Sequence, residues 1–140
     1  RAGEPDGLVA AQAAAWDPAL AFARDKFGAR FILAEGVMFA AQPDHAIEAF
    51  SRAVDVFAQA PHAALKIAAL HSMTTLAGSA RIATMIAHGG LTAEEAWSAA
   101  HVDEDWQIAQ WGEDPEALRR REQRRREMLA AAFLLAEPAA

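Results

Sequence analysis

The sequence has no cysteine. That excludes disulfides, thiolate zinc sites and cysteine nucleophiles, and leaves the redox compartment open. It also lacks a run of about 18 apolar residues, the length a membrane helix needs. The most apolar stretch, Ile67 to Ala87, is interrupted by His71, Ser72, Thr74, Thr75, Ser79 and Arg81, so no membrane insertion is expected. No signal-peptide pattern opens the chain and it does not start with Met. Arg1 therefore reads as the start of a trimmed or partial product. Lys and Arg are missing from Ile82 to Leu118, where eight acids stand, and then Arg119, Arg120, Arg121, Arg124, Arg125 and Arg126 arrive together. The net charge of −6 argues against general affinity for nucleic acid.

Catalytic patterns are missing too. His45, His62, His71, His88 and His101 show no close metal-ligand spacing, so no metal site is expected. Gly89-Gly90 lacks the Lys and Ser or Thr of a phosphate loop, and Ser72, Ser79 and Ser98 lack a nucleophile-elbow context. The chain reads as a non-enzyme with no catalytic residues and no cofactor.

What remains is hydrophobic and helical. At 140 residues with 54% hydrophobic residues, the chain fits one globular domain. Helical periodicity runs almost throughout. The first helix is expected over Asp6 to Ala15. Asp17-Pro18 then reads as an N-cap and first helical position, starting a new helix (or a kink) that Gly28 stops. RFILAEGVMFA, residues 30–40, is apolar and β-branched or aromatic around Ala34-Glu35-Gly36, and reads as a short hairpin. Pro43-Asp44 opens a helix to about Ala58, and Pro61 another to about Ala77. Ser79 is a cap for Ala80 to His88. Thr92-Ala93-Glu94-Glu95 is a capping box for a helix ending at Gly112. Asp114-Pro115 opens a last helix to about Leu135. With no internal repeat and no Gly/Ser-rich linker, the expected fold is mainly α, an orthogonal bundle of about six or seven short helices with one small β-hairpin.

Alanine lets helices approach closely and leaves large residues to lock the packing. Trp16, Trp97, Trp106 and Trp111 are the expected anchors, each able to bury about 200 Å², roughly 5 kcal/mol as an upper bound. On one continuous wheel from Thr92 to Trp111, Ala93, Ala96, Trp97, Ala100, Ile108 and Trp111 share a face. Glu104 falls in its middle and Gln107 at its edge. Asp103 lies further out, Asp105 faces solvent, and Trp106 lies away, beside Val102 and Ala99. A Glu104 carboxylate buried there needs an Arg, a helix N-terminus or backbone N–H groups. It is either an internal polar tie or a group for a partner. Trp106 either packs on a second helix layer or forms part of a contact surface. From Glu116 to Glu127 the last helix is polar all round, with favourable pairs Glu116–Arg120 and Glu122–Arg126. Its first half is expected to project into solvent, and the half after Met128 (Leu129, Ala132, Phe133) to pack. The arginines are either a solvated, salt-bridged face or a site for an acidic partner surface.

Four segments follow in one order: WDPALAFARDKFG (16–28), EGVMFAAQP (35–43), LHSMTTLAGSARIATMIAHGGLTAEEAW (70–97) and DEDWQIAQWGED (103–114). Together they resemble the C-terminal helical domain of the assembly chaperones for the α subunit of the F1 sector of ATP synthase, a mitochondrial and alphaproteobacterial family. The most specific part is D-E-x-W-Q-x-x-x-W-G. The resemblance implies a single helical domain over 1–140, from a longer chaperone whose β-rich N-terminal domain is not in this chain. It implies non-catalytic binding of the newly made α subunit until it meets β. The location it implies is the bacterial cytoplasm (the mitochondrial matrix for eukaryotic relatives), and the chain is expected to be a monomer. In the family an acid near the Trp-Gly pair matters for activity. Here Glu104 matches the acid before the Gln, and Glu113, Asp114 and Glu116 follow Gly112. Eukaryotic members follow Trp-Gly with an acid, an aromatic and Ala-His-Asp, a pattern this chain does not keep. The candidate partner-binding residues are Glu104, Trp106, Gln107, Trp111, Glu113, Asp114, Glu116, Arg120 and Arg124. The rival reading is a helical nucleic-acid-binding module using the Arg119–Arg126 cluster.

Overall fold

A computed structural model describes residues 1–136 of the chain. They form seven helices: α1 (Asp6–Phe27), α2 (Asp44–Ala58), α3 (Ala63–Ala77), α4 (Ala80–Ala87), α5 (Ala93–Ala100), α6 (Val102–Trp111) and α7 (Pro115–Ala136). α3 lies at the centre and packs against α2, α4, α5 and α7, while α1 crosses α2, α4, α5 and α6. The main core is a set of small alanines locked by Leu70, Met73, Ile82, Met85, Trp97 and Met128. A second, smaller core gathers Ala23, Ala29 and Ala49 under Phe27, Phe31 and Phe50.

Local chemistry sets most boundaries. Ala29 N–H reaches back to Ala23 O at 3.0 Å and Gly28, at φ 75°, supplies the left-handed turn that ends α1. Ser79 Oγ accepts from Ile82 N–H at 3.3 Å to start α4. Asp114 Oδ1 accepts from Glu116 N–H at 2.9 Å, with Pro115 the first residue of α7. Pro18 does not start a new helix: α1 runs through it without interruption. The helix gives up one backbone hydrogen bond there, and its packing against several neighbours outweighs that loss.

The capping box at Thr92 is complete. Thr92 Oγ1 accepts from Glu95 N–H at 3.2 Å, and Thr92 N–H donates to Glu95 Oε2 at 2.8 Å. The Thr92 backbone N–H, and then its hydroxyl, hold the Glu95 carboxyl below the usual carboxylate range. A depressed folded pKa contributes stability above the ordinary carboxylate range, and that contribution is lost as pH falls through the lowered value. Thr92→Ala is therefore expected to lower the urea midpoint more at neutral pH than at acidic pH. Equal losses at both would show that the carboxylate adds nothing through this contact.

The expected β-hairpin over residues 30–40 is absent: the described residues contain no strand. The segment between α1 and α2 is an ordered loop whose backbone finds other partners. Gln42 takes the place of a facing strand, its Oε1 accepting from Ile32 N–H at 2.8 Å and its Nε2 donating to Ile32 O at 2.9 Å. The Arg1 backbone nitrogen donates to Ala34 O at 2.8 Å, and Gly36 N–H donates to Arg1 O at 2.7 Å.

The chain also departs from the expected helix at His101. The helix expected from Thr92 to Gly112 is broken there into α5 and α6. His101 N–H turns to Ser98 O at 3.2 Å, which leaves the Trp97 carbonyl free to accept from His101 Nδ1 at 2.8 Å. The Ala99 carbonyl, also freed, accepts from Trp16 Nε1 at 2.7 Å. The buried His101 ring stacks on Trp97 with centroids 3.7 Å apart. Two side chains thus replace the backbone bonds that a continuous helix would have made.

Candidate partner-binding site

The break re-aims α6, and this decides where its side chains go. Asp103, Glu104 and Asp105 occupy the first turn of α6, where the positive end of the helix dipole favours acids. Asp103 is tied to α1: Gln12, buried, donates Nε2 to Asp103 Oδ1 at 2.8 Å. Glu104 and Asp105 face α7 instead, where Arg121 Nη1 lies 2.6 Å from Asp105 Oδ1 and Arg121 Nε 3.7 Å from Glu104 Oε2. Glu104 is thus half open to water, with 51% of its side chain exposed, and does not lie in a buried seam as the unbroken wheel predicts. It does have an arginine beside it.

Trp111 also departs from expectation. It is not a core anchor: 79% of it is exposed at the end of α6, just before Gly112 ends the helix with φ 89°. Trp97 alone of the four is fully buried, while Trp16 and Trp106 are half-buried. Trp106 packs on α1, so close that a Cβ on Gly7 would stand 2.4 Å from its Cη2.

The first half of α7 does not project freely. Arg121 holds α6, Arg125 pairs with Glu94 of α5 and with Glu122, and Arg124 donates to Leu76 O at 3.1 Å. The expected pairs Glu116–Arg120 and Glu122–Arg126 both form. Hydrogen bonds from Arg125, then Arg126, hold the Glu122 carboxyl below the usual range. Much of the arginine charge is thereby answered by acids, which leaves less of it for a polyanion. Further along, of the residues expected to pack, Leu129 and Ala132 are half-buried and Phe133 is exposed, while the neighbouring Met128 and Ala131 are the buried ones.

Between α6 and the first turns of α7 lies a groove of about 480 Å³. Glu104, Gln107, Trp111, Asp114, Arg120 and Arg124 line it, so the structure brings these six candidates together. Its apolar floor comes from Ile108 and Leu118. Glu113 and Glu116 are exposed just outside it. Trp106 belongs to a different groove, of about 680 Å³, between α6 and α1, and Gln107 and Trp111 border both. Arg121 is a wall of the first groove that spacing within one helix does not single out. The signal for it is the acidic block followed by the basic block, read as one helix pairing with the next.

A site of this kind has an exposed indole, an apolar floor and charges of both signs. It can hold a protein surface: the aromatic supplies contact area and the charges set orientation. Outside the groove, the His88 and His101 rings are both taken up by backbone carbonyls. No helix among the described residues is long and apolar enough to cross a membrane.

The chain is similar to solved bacterial proteins. One is Atu1473 from Agrobacterium tumefaciens, provisionally described as a chaperone, at 50% identity and TM-score 0.86, over 96% of this chain and 48% of that one. Another is Atp12 from Paracoccus denitrificans, at 28% identity and TM-score 0.85, over 96% of this chain and 56% of that one. A variant of the latter with an aspartate replaced by lysine matches at 28% identity and TM-score 0.84, over the same shares. The chain thus spans about half the length of these relatives. No protein-family model and no curated protein matches it.

Proposed function

We propose, for a chain that belongs to the Atp12-like family of assembly chaperones, that it binds the unassembled α subunit of the F1 sector of ATP synthase. In this reading it keeps α from aggregating until α pairs with β, and it performs no chemistry. The observation that carries the reading is the exposed Trp111 on the rim of the α6–α7 groove, ringed by Glu104, Gln107, Asp114, Arg120 and Arg124. A subunit awaiting its partner exposes an interface patch that invites wrong association. A protector needs a complementary surface that is easily given up. One aromatic anchor with a charged rim suits that need, since a few such residues carry most of the binding energy while rim charges set register and on-rate.

The test is light scattering from isolated α subunit, with and without the chain. The chain is expected to suppress scattering near equimolar ratio, and added β is expected to release it. Binding isolated β or the assembled complex as tightly as α would refute the reading, as would unchanged scattering.

A further inference from the structure

The loop between α1 and α2 presents large hydrophobic side chains to solvent. Ile32 and Leu33 are about half exposed, Met38 more so, Phe39 is 90% exposed and Val37 fully so. They are held in place: Gln42 grips the loop at Ile32, Arg1 at Ala34 and Gly36, and Phe31 packs on Phe50 at 5.6 Å. An ordered apolar display of this kind is what contact surfaces look like on an isolated protein.

At the base of the loop is a second feature. Ile32 and Leu33 form one side of a cavity of about 380 Å³, with Trp16 and Leu20 of α1 and Ser79 and Arg81 at the start of α4 around it. The Arg81 guanidinium lies 5.2 Å from the Phe31 ring centroid and makes no ion pair with any acid among the described residues. Partial withdrawal from water, and then the charge of Arg1, lower its pKa; the group stays a cation all the same. Arg1 itself is answered by Asp17. Arg81 nevertheless remains exposed, at the edge of a cavity that Arg1, Gln42 and Ser79 line together with the apolar residues, and a guanidinium with no acid of its own offers its donors to a carboxylate brought from outside.

We infer that this cavity and loop form a docking surface, separate from the α6–α7 groove, for a protein segment in which one acidic side chain is flanked by apolar residues. The carboxylate enters the cavity and meets Arg81. The flanking residues cover Val37, Met38 and Phe39. Charge complementarity chooses this occupant over a basic segment. It also disfavours a second copy docked loop to loop, which would set Arg81 against its own equivalent.

The probe is a short fluorescein-labelled peptide with a single glutamate between leucine and phenylalanine residues, compared with its glutamine and lysine counterparts in fluorescence anisotropy. The glutamate peptide is expected to bind at least about tenfold more tightly than the lysine peptide, and to weaken as salt rises. Arg81→Gln should erase the preference and Arg81→Lys keep part of it. Phe39→Ser, at an exposed position, should weaken all three peptides with the circular dichroism unchanged. Equal binding of the three peptides, no binding, or a preference that survives Arg81→Gln would overturn the inference. So would a dimer that Phe39→Ser dissociates. Since no arm contains the α subunit, a failure here is distinct from a failure of the chaperone reading. If Arg81→Gln does not fold, the salt dependence and Arg81→Lys still decide.

Discussion

Trp111→Ala is expected to weaken protection of isolated α subunit about 30-fold while leaving the fold intact. The two halves of that expectation have separate causes. Trp111 is 79% exposed, so truncating it removes little native packing, and exposed substitutions usually stay within about 0.5 kcal/mol of wild type. On the groove rim, however, the indole is the largest apolar group a partner could bury, and truncating a central aromatic hot spot costs about 2 kcal/mol or more, which is the 30-fold. The measurement pairs α-subunit light scattering, titrated with the variant, with a urea unfolding curve. A variant that protects like wild type would remove Trp111 from the contact. Trp106→Ala makes the contrast: its ring packs against Gly7, so it should lower stability first and protection only as a consequence. Glu104→Lys should resemble Trp111→Ala, since the half-exposed carboxylate is a rim group and its reversal sets a second cation beside Arg121.

The contrast between the two tryptophans also shows how far a sequence can be read. Signals that act within a few residues are legible: the stop at Gly28, the caps at Ser79 and Asp114 and the box at Thr92 all stand where the residue types put them. Each needs only one side chain and the backbone next to it. At the helix break, the freed Ala99 carbonyl is satisfied by Trp16, 83 positions before it in the chain. No local pattern contains that partner. A wheel drawn through the break puts Glu104 and Trp111 into the core, where neither lies. The hairpin fails for a related reason. Its residues suit a strand, but Gln42 and Arg1 offer the backbone its hydrogen bonds without one. Six of the candidate site residues nevertheless line one groove: Glu104, Gln107, Trp111 and Asp114 stand in the segment that carries the family resemblance, and Arg120 and Arg124 in the basic block that follows it.

The largest stability effect is expected at Trp97→Ala, and it should reach the groove as well. Trp97 is 5% exposed and belongs to the main core with Met73, Ile82 and Met128. Cutting a buried aromatic to Ala costs about 3–5 kcal/mol through lost transfer energy and the cavity left behind, a large part of the roughly 5–15 kcal/mol that holds a domain folded. A melting temperature lower by roughly 10 °C follows for a chain of this size. The same side chain is the surface on which His101 stacks, and the Trp97 carbonyl is what His101 Nδ1 bonds. Without the indole, the His101 ring loses the face that keeps it in place to satisfy that carbonyl. The direction of α6, and the spacing of Glu104 and Trp111 from α7, then lose a support. Trp97→Ala should therefore protect α subunit less well even at a temperature where most molecules are folded, whereas Trp97→Phe, which keeps an aromatic face, should recover part of both losses. Urea unfolding and α-subunit scattering on the same preparations separate the effects. A loss under about 1 kcal/mol would mean that the core closes over the missing ring. Full protection by a folded but destabilised variant would show that α6 takes its direction from the Trp16–Ala99 hydrogen bond alone.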